Sequence, residues 1–180
     1  MAKRVDLREL LVAYAPSPLE ARTYSEMMEL LESSNDVLSR FHFYPGHFTA
    51  SAFVLSSDHS RMVLIRHVRL DRWLQPGGHV EPTDEDLEAA ARREVMEEAR
   101  LQDLEVLSGG VFDLDIHRIP ASQDEPSHCH YDVRFLFLAE GEVEAGAGVA
   151  ESRWVALSKV GSFTTDESVR RAVFKIRDLI

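Results

Sequence analysis

Three glutamates continue the apolar stripe of one predicted helix, on the side that normally faces a core. The apolar part of this stripe is Leu87, Ala90 and Ala91. Because each helical residue advances by about 100°, Glu94, Glu97 and Glu98 fall on the same side. Carboxylates crowded on a half-buried face raise their pKa or recruit a cation, and all-oxygen ligands suit Mg²⁺ or Mn²⁺. The sequence therefore predicts a divalent metal site, and a solvated Glu-rich helix face is the alternative.

Length and charge limit the class of protein. A chain of 180 residues, 44% hydrophobic and 28% charged, suits one globular domain with a terminal extension. Its net charge of -11 argues against nucleic-acid and anionic-membrane partners. Cys129 is the only cysteine, so no disulfide framework is expected. Asp6 and Glu9 interrupt any signal-peptide core, and no apolar run could span a bilayer, so we predict a cytoplasmic protein.

The order of the predicted elements suggests a helical arm followed by a mixed sheet flanked by helices. We predict an N-terminal helical extension over residues 1–45 and a main domain over 46–180, which form one compact unit because no linker separates them. Helices are predicted at 6–14, from the capping box at Ser17 to Leu31, from Thr83 or Asp84 to Arg100, and at 166–179. Strands are predicted at 48–55, 62–68, 104–114 (one strand or a bulged hairpin), 131–139 and 154–157. Residues 117–127 and 140–148 are expected to be loops.

One segment of about twenty-four residues resembles the Nudix box. The resemblance is carried by Gly77-Gly78, Glu85, Arg93-Glu94, Glu97-Glu98 and Leu101. The chain departs from the usual box twice: six residues rather than five separate Gly78 from Glu85, and Arg100 replaces the usual glycine. The resemblance implies an α/β fold, an α/β/α sandwich with a mixed β-sheet, to which the predicted N-terminal helical arm is added.

The resemblance also implies a reaction, the hydrolysis of a diphosphate linkage with Mg²⁺ as cofactor and Mn²⁺ as a substitute. A nucleoside diphosphate derivative such as ADP-ribose or a nucleotide sugar is the expected small-molecule substrate. The implied metal ligands are the Gly77 carbonyl and the carboxylates of Glu94, Glu97 and Glu98. Arg93 is expected to pair with Glu97 and to join these glutamates as a catalytic residue. Glu85 is expected to pair with Arg93 or to cap the helix.

Other assignments stay open at this stage. The general base is one of Glu98, Glu125, Asp132 and Glu151. The candidate substrate-binding residues are Arg66, Arg69, Trp73, Gly78 and His79, of which the first three come from a basic segment that also holds His67 and Arg72. A solvated strand end and a packed tryptophan are the alternatives for that segment.

Two other functions compete with hydrolysis. An isopentenyl-diphosphate-isomerase-like enzyme would need an acid–base cysteine, but Cys129 lies far downstream of the glycine loop. A non-catalytic nucleotide-binding sensor on the same fold would be expected to have lost carboxylates of the box, and all three are present.

His128 and His130 share one face of a strand, but no third ligand at matching spacing is visible, so a transition-metal site is not expected. A homodimer in which the arm exchanges contacts is the assembly considered.

Overall fold

A parallel pair of long strands forms the centre of the fold. The structure, a computed structural model, describes residues 2–34, 36–107 and 109–180. The central strands are β1 (Gly46–Ser56) and β7 (His128–Ala139), which pair from Gly46↔Cys129 to Ser56↔Ala139. The other strands are β2 (Arg61–His67), β3 (Arg72–Leu74), β4 (Gly77–His79), β5 (Glu105–Val106), β6 (Asp113–Ile119) and β8 (Val149–Ala156).

All remaining strand pairs in the described residues are antiparallel, so the predicted mixed sheet is confirmed. The path β3-β2-β1-β7-β5 is joined by β4 on β1, β6 on β7 and β8 on β2. The first half of β1 pairs with β4, and its last residues pair with β2. The helices are α1 (Ala2–Ala13), α2 (Ala21–Ser33), α3 (Leu87–Ala99), α4 (Glu167–Leu179) and a 3₁₀ helix (Leu157–Ser162).

The two faces of β1 meet different layers, because successive side chains of a strand point in opposite directions. Phe48, Ala50 and Val54 belong to a buried cluster shared with the apolar face of α3 and with residues of α1 and α2. Phe53 and Leu55 point the other way and pack into a second cluster with α4. The predicted α/β/α sandwich is confirmed by this arrangement. Because α1 and α2 share the first cluster, the boundary at residue 45 is not marked by a separate core and stays a prediction.

Several element boundaries were predicted wrongly. Pairing of β6 with β7 continues to Ile119↔His128, so residues 117–119 belong to a strand rather than to a loop. Segment 104–114 holds β5 and the start of β6 rather than one strand, and β8 begins at Val149 rather than Trp154. Ser17 donates its backbone N–H and hydroxyl to Glu20 as a capping box would, but α2 begins only at Ala21. Cross-strand pairing overrides weak local patterns in the three strand cases. No helix among the described residues has the length and apolar character that crossing a membrane requires.

Candidate active site

Helix α3 places the three glutamates at the end of its buried face. The apolar residues of that face, all fully buried, are Leu87, Ala90, Ala91, Val95 and Ala99. Glu94 lies among them with only 9% exposure, although it is a carboxylate. Glu97 and Glu98 are partly buried one turn later. The predicted continuation of the apolar stripe in acidic residues is therefore confirmed.

The glycine loop lies directly against these glutamates. The backbone N–H of Gly77 donates a hydrogen bond to Glu98 Oε2 at 3.0 Å. A Cβ added at Gly78 would lie 2.6 Å from Glu94 Oε1, so only glycine leaves room for this carboxylate. Because β4 carries both glycines beside β1, the sheet fixes the position of the carboxylates of α3.

Arg93 joins the helix, the glycine loop and the preceding turn. Its guanidinium donates to Glu94 at 2.8 Å and to Glu97 at 3.1 Å, as predicted for Glu97. It also donates to the backbone carbonyl of His79 at 2.8 Å. Five donors in a rigid fork allow one arginine to hold all of these acceptors. The guanidinium therefore fixes two of the three carboxylates relative to β4.

The acid that pairs with Arg93 outside the helix was predicted wrongly. Glu85 is exposed, whereas Asp84 is buried and accepts from Arg93 Nε at 2.9 Å. Asp86, not Thr83 or Asp84, caps the helix by accepting from the N–H of Ala89 at 2.7 Å. Because Asp86 is the cap, α3 starts at Leu87. Asp84 then lies in the turn before the helix, with its side chain facing inward. Five residues then separate Gly78 from the paired acid, so the extra residue of this box lies after Asp84.

The environment of the glutamates disfavours their charge. Burial raises the pKa of Glu98 to about 8, and the nearby charges of Glu94 and Glu97 act in the same direction. Burial also raises the pKa of Glu94 above its usual value, although Arg93 opposes this effect. Within the described residues, no cation lies within 4.0 Å of Glu98. Such a group of oxygen ligands would be stabilised by a hard divalent cation.

The segment after β7 closes the C-terminal end of α3. Arg100 ends the helix in the left-handed region with φ 60°, the position where a glycine is usual. The N–H groups of Glu144 and Gly146 donate to the carbonyls of Ala99 and Glu98, both at 3.2 Å. Ser152 also donates to the Glu98 carbonyl at 2.8 Å. The predicted loop 140–148 thus satisfies the end of the helix that carries the glutamates.

The predicted substrate-binding residues separate into two groups. Gly78 and His79 lie in β4 beside the glutamates. Arg66 is exposed and pairs with Asp71 at 2.8 Å, and Arg69 lines a cavity with Arg40 and residues 122–125. In the same segment, Arg72 pairs with Asp166, and Trp73 packs edge-on against Phe163 at 5.2 Å between ring centroids. Arg66 and Trp73 are partners across β2 and β3, but Arg69 lies beyond the end of β2. The predicted role of these three residues in binding stays a prediction.

The four candidates for the general base have different surroundings. Asp132 is buried and accepts from Thr49, Ser51 and Arg134, at 3.0, 2.7 and 2.8 Å respectively. Glu125 faces Arg40 at 3.5 Å, and Glu151 pairs with Arg153. Glu98 alone among the four lies on α3 beside the other glutamates.

A cavity of about 490 Å³ opens next to β4. It is lined by Asp36, Leu38, Ser39, Arg40, Phe41, His79, Val80, Glu81 and Pro82. Residues 36–41 come from the connection between α2 and β1, so the N-terminal region contributes one wall. Phe41 is 74% exposed, which leaves its ring accessible from solvent. The volume lies within the range of small-molecule sites, which is about 300–1,000 Å³.

A group of histidines at the same end of the sheet was missed in the sequence. Nitrogen atoms of His47, His79 and His130 lie within 4.8 Å of one another. Burial lowers the pKa of His47 and of His79 to about 4 and that of His130 to about 2, and neighbouring positive or titratable groups add to the effect. No local sequence pattern could have found them, because they come from β1, β4 and β7. The alternation of His128 and His130 was visible, but their partners are more than 45 residues away in sequence.

Comparison with known proteins agrees with this geometry. The sequence profile of the NUDIX domain matches residues 45–175, whereas no curated protein matches the chain. A MutT protein from Methanosarcina mazei Go1 is similar in structure, with 21% identity, TM-score 0.56, and coverage of 73% of this chain and 92% of that chain. A NUDIX-family hydrolase from Clostridium perfringens has 23% identity, TM-score 0.55, and coverage of 74% and 98%.

A third similar structure carries a ligand. It is the NUDIX domain of Shewanella oneidensis NrtR complexed with ADP ribose, with 16% identity, TM-score 0.54, and coverage of 84% of this chain and 96% of that chain. These similarities concern the fold, and the profile match over most of the chain identifies the family. The chain therefore belongs to the Nudix family and is a Nudix pyrophosphohydrolase.

Proposed function

We propose that this enzyme depends on Mg²⁺, with Mn²⁺ as a substitute, and hydrolyses a diphosphate of the ADP-ribose or nucleotide-sugar type. The observation that carries the proposal is the shortage of cations around the glutamates of α3. Arg93 is shared by Asp84, Glu94 and Glu97, and in the part of the chain that the structure describes Glu98 receives only a backbone N–H. Half-buried carboxylates that outnumber the cations beside them are stabilised by divalent cations.

The proposed metal ligands are the carboxylates of Glu94, Glu97 and Glu98 and the backbone carbonyl of Gly77. Bound Mg²⁺ would offset the charge of the diphosphate oxygens and lower the pKa of a coordinated water. In the net reaction, a water oxygen forms a bond to one phosphorus and the bond from that phosphorus to the bridging oxygen breaks. One water proton passes to a base, and the two products are phosphate derivatives.

The side chains of this site have separate roles in the proposal. Arg93 keeps Glu94 and Glu97 in place and ties them to β4 through the His79 carbonyl. We assign the general base to Glu98, which lies beside these two carboxylates and is oriented by Gly77. Asp132, Glu125 and Glu151 are less suited, because each already accepts from or faces an arginine.

The cavity beside β4 supports the substrate class. It is lined by His79, one residue after Gly78, and by Phe41 and Pro82. A diphosphate at the carboxylates could therefore place its nucleoside or sugar in this cavity, where Phe41 offers a ring face for stacking. The NrtR domain that is similar in structure binds ADP ribose, which has the same two-part form. Arg40 in the same wall offers a charge for phosphate or ribose oxygens.

A panel of diphosphate compounds tests the proposal. We expect the protein with Mg²⁺ to release phosphate products from ADP-ribose or a nucleotide sugar, and Glu97→Gln to lose most of this turnover. Glu88→Gln is the matched control, because Glu88 lies on the same helix and pairs with Arg92 away from the carboxylates. Equal turnover by wild type and Glu97→Gln would contradict the assignment of the metal ligands.

The same panel distinguishes the competing readings. A sensor would bind nucleotides tightly without turnover in Mg²⁺ or Mn²⁺. An isomerase would convert a prenyl diphosphate, but Cys129 packs against the buried cluster that includes the apolar face of α3. A homodimer and a cytoplasmic location stay predictions.

A further inference from the structure

We propose that His47, His79 and His130 form a second metal site, which binds a transition-metal ion such as Zn²⁺ through imidazole nitrogens. The three residues come from β1, β4 and β7, and their nitrogens lie within 4.8 Å of one another. A point between three such atoms is at most about 2.8 Å from each, and Zn–N bonds are about 2.0–2.1 Å long. Side-chain shifts of less than about 1 Å would therefore complete the site.

His47 is the strongest evidence for a ligand. It is fully buried, and its Nδ1 lies 3.2 Å from the backbone carbonyl of His42. Because a carbonyl can only accept, Nδ1 carries the proton and Nε2 presents a lone pair. Nε2 is buried and has no hydrogen-bond partner among the described residues. A buried polar atom without a partner is costly, and a hydrogen bond from the other ring nitrogen to a carbonyl is the usual support of a metal-binding histidine.

His128 lies next to this group, and its ring has the same kind of support as that of His47. Its Nδ1 lies 2.8 Å from the carbonyl of Pro126, so its Nε2 also presents a lone pair. This Nε2 is 3.3 Å from Nε2 of His130. Two nitrogens on one tetrahedral Zn²⁺ are about 3.3–3.4 Å apart, given the usual Zn–N length. His128 is buried, so this nitrogen is held in place beside that of His130.

The chemistry of the site separates it from the carboxylates of α3. Neutral imidazoles favour Zn²⁺, Ni²⁺, Co²⁺ or Cu²⁺ over Mg²⁺, which prefers oxygen ligands. Within β4, Gly78 faces Glu94, so the adjacent side chain of His79 points to the opposite face of the sheet. His79 also lines the cavity next to β4, which gives an ion a path from solvent. The two sites would therefore take different metals at opposite faces of β4.

Packing alone explains part of the cluster but not all of it. The rings of His47 and His128 are stacked at 5.0 Å between centroids, as they could be without a metal. In that case His130 would donate to His128, and both nitrogens would be satisfied. Nε2 of His47 would still lack a partner. A bound metal would give this nitrogen a partner and would explain why histidines from three strands converge on one point.

Metal content and a cobalt spectrum test the proposal. We expect the full-length protein, dialysed after exposure to Zn²⁺, to retain one Zn²⁺ per chain. With Co²⁺ in its place, the wild type should show the intense visible absorption of tetrahedral coordination. His47→Gln and His130→Gln should weaken Zn²⁺ binding by about 100-fold or more. His59→Asn, in the turn between β1 and β2, is the matched control and should bind as wild type does.

The outcomes distinguish this site from the proposed catalytic one. Zn²⁺ retention should persist in Glu97→Gln, because that variant removes a carboxylate and leaves the histidines intact. If the wild type retains no Zn²⁺, or gives only the weak spectrum of octahedral Co²⁺, the proposal is wrong whatever the variants do. It is also wrong if both histidine variants bind as wild type does, or if Glu97→Gln alone abolishes binding. The wild-type spectrum decides the case even where a histidine variant fails to fold.

Discussion

Two acidic clusters lie on opposite faces of one sheet, and they differ in how their charge is balanced. On the α3 face, Asp84, Glu94 and Glu97 share the guanidinium of Arg93, and among the described residues Glu98 has only a backbone donor. On the other face, Asp113, Asp115, Asp132 and Glu20 meet three cations. These cations are Arg134, Arg171 and Lys175.

Arg134 is the centre of the balanced cluster. It is 2% exposed and contacts Asp132 at 2.8 Å, Asp115 at 3.0 Å and Asp113 at 3.3 Å. Nη2 of Arg171 adds a second contact to Asp113, at 2.8 Å. Cations of the protein itself offset these buried carboxylates, which need no further ion. The difference teaches that acidic residues alone do not indicate a metal site, whereas a deficit of cations around them does.

The largest expected effect is on stability and concerns Arg134. Arg134→Gln should lower the free energy of unfolding by about 3–5 kcal/mol, because it leaves three buried carboxylates without their shared cation. Urea denaturation measures this loss. Arg66→Gln, which breaks the exposed pair with Asp71, is the control and should cost less than about 1 kcal/mol. A similar small loss for Arg134→Gln would remove the contrast between the clusters.

The next effect is on activity and concerns Glu98. Glu98→Gln should lower kcat/KM by about 100-fold or more, equivalent to about 2.7 kcal/mol of transition-state stabilisation. The same variant should be as stable as wild type or more stable without metal, because a neutral amide replaces a carboxylate that is costly to bury. Steady-state kinetics and urea denaturation in chelator measure the two effects. If Glu98→Gln lost stability as well as activity, Glu98 would be a residue that stabilises the fold, as Arg134 is.

The two clusters should also respond to pH with opposite sign. Burial raises the pKa of Glu98 from 4.5 to about 8, so the metal-free fold loses stability as pH rises through that window. Burial opposes the shift of Glu20, but hydrogen bonds from Lys175, Tyr14 and Ser17 lower its pKa from 4.5 to about 2. Its contribution is present above pH 4.5 and is lost as pH falls toward 2. Each contribution should be a few kcal/mol, at about 1.4 kcal/mol per pKa unit.

Unfolding at pH 2.5, 5.5 and 8 in chelator tests this pair of windows. Glu98→Gln should flatten the alkaline side alone, and Glu20→Gln should flatten the acid side alone. Added Mg²⁺ should stabilise the wild type more at pH 8 than at pH 5.5, since binding requires the ionised carboxylate. An unchanged alkaline side in Glu98→Gln would contradict the pKa assigned to this residue.

The smallest expected effect concerns the close approach of Gly78. An added methyl group would lie 2.6 Å from Glu94 Oε1, so Gly78→Ala should displace this carboxylate. We expect about a tenfold loss of kcat/KM, or about 1.4 kcal/mol, because the other ligands stay in place. Gly161→Ala is the control, since a Cβ there meets nothing within 4 Å. Equal activity of the two variants would show that Glu94 tolerates displacement.

Local pattern was enough to predict the catalytic helix but not its surroundings. The spacing of Leu87, Ala90 and Ala91 placed the glutamates on the buried face, and the Arg93–Glu97 pair followed from helical spacing. The partner acid was misassigned to Glu85, because the position of the Asp86 cap decides which side chain faces inward. A cap among several acidic residues is hard to identify from sequence alone.

Contacts between distant strands could not be predicted. Thr49 and Asp132 are 83 residues apart, and their hydrogen bond depends on the parallel register of β1 and β7. The same register brings His47 beside His130. Register is set by burial of whole strands rather than by the residues that it places together. The balanced cluster and the histidine cluster therefore became visible only in the folded chain.

Calorimetric titration with Mg²⁺ tests the central claim most directly, because the histidines do not favour this ion. We predict that wild type and Glu88→Gln bind Mg²⁺ with the same affinity, and that Glu97→Gln binds it at least about tenfold more weakly, a difference of about 1.4 kcal/mol. If the wild type takes up no Mg²⁺, or if Glu97→Gln binds it as wild type does, the glutamates of α3 are not the metal site of this enzyme.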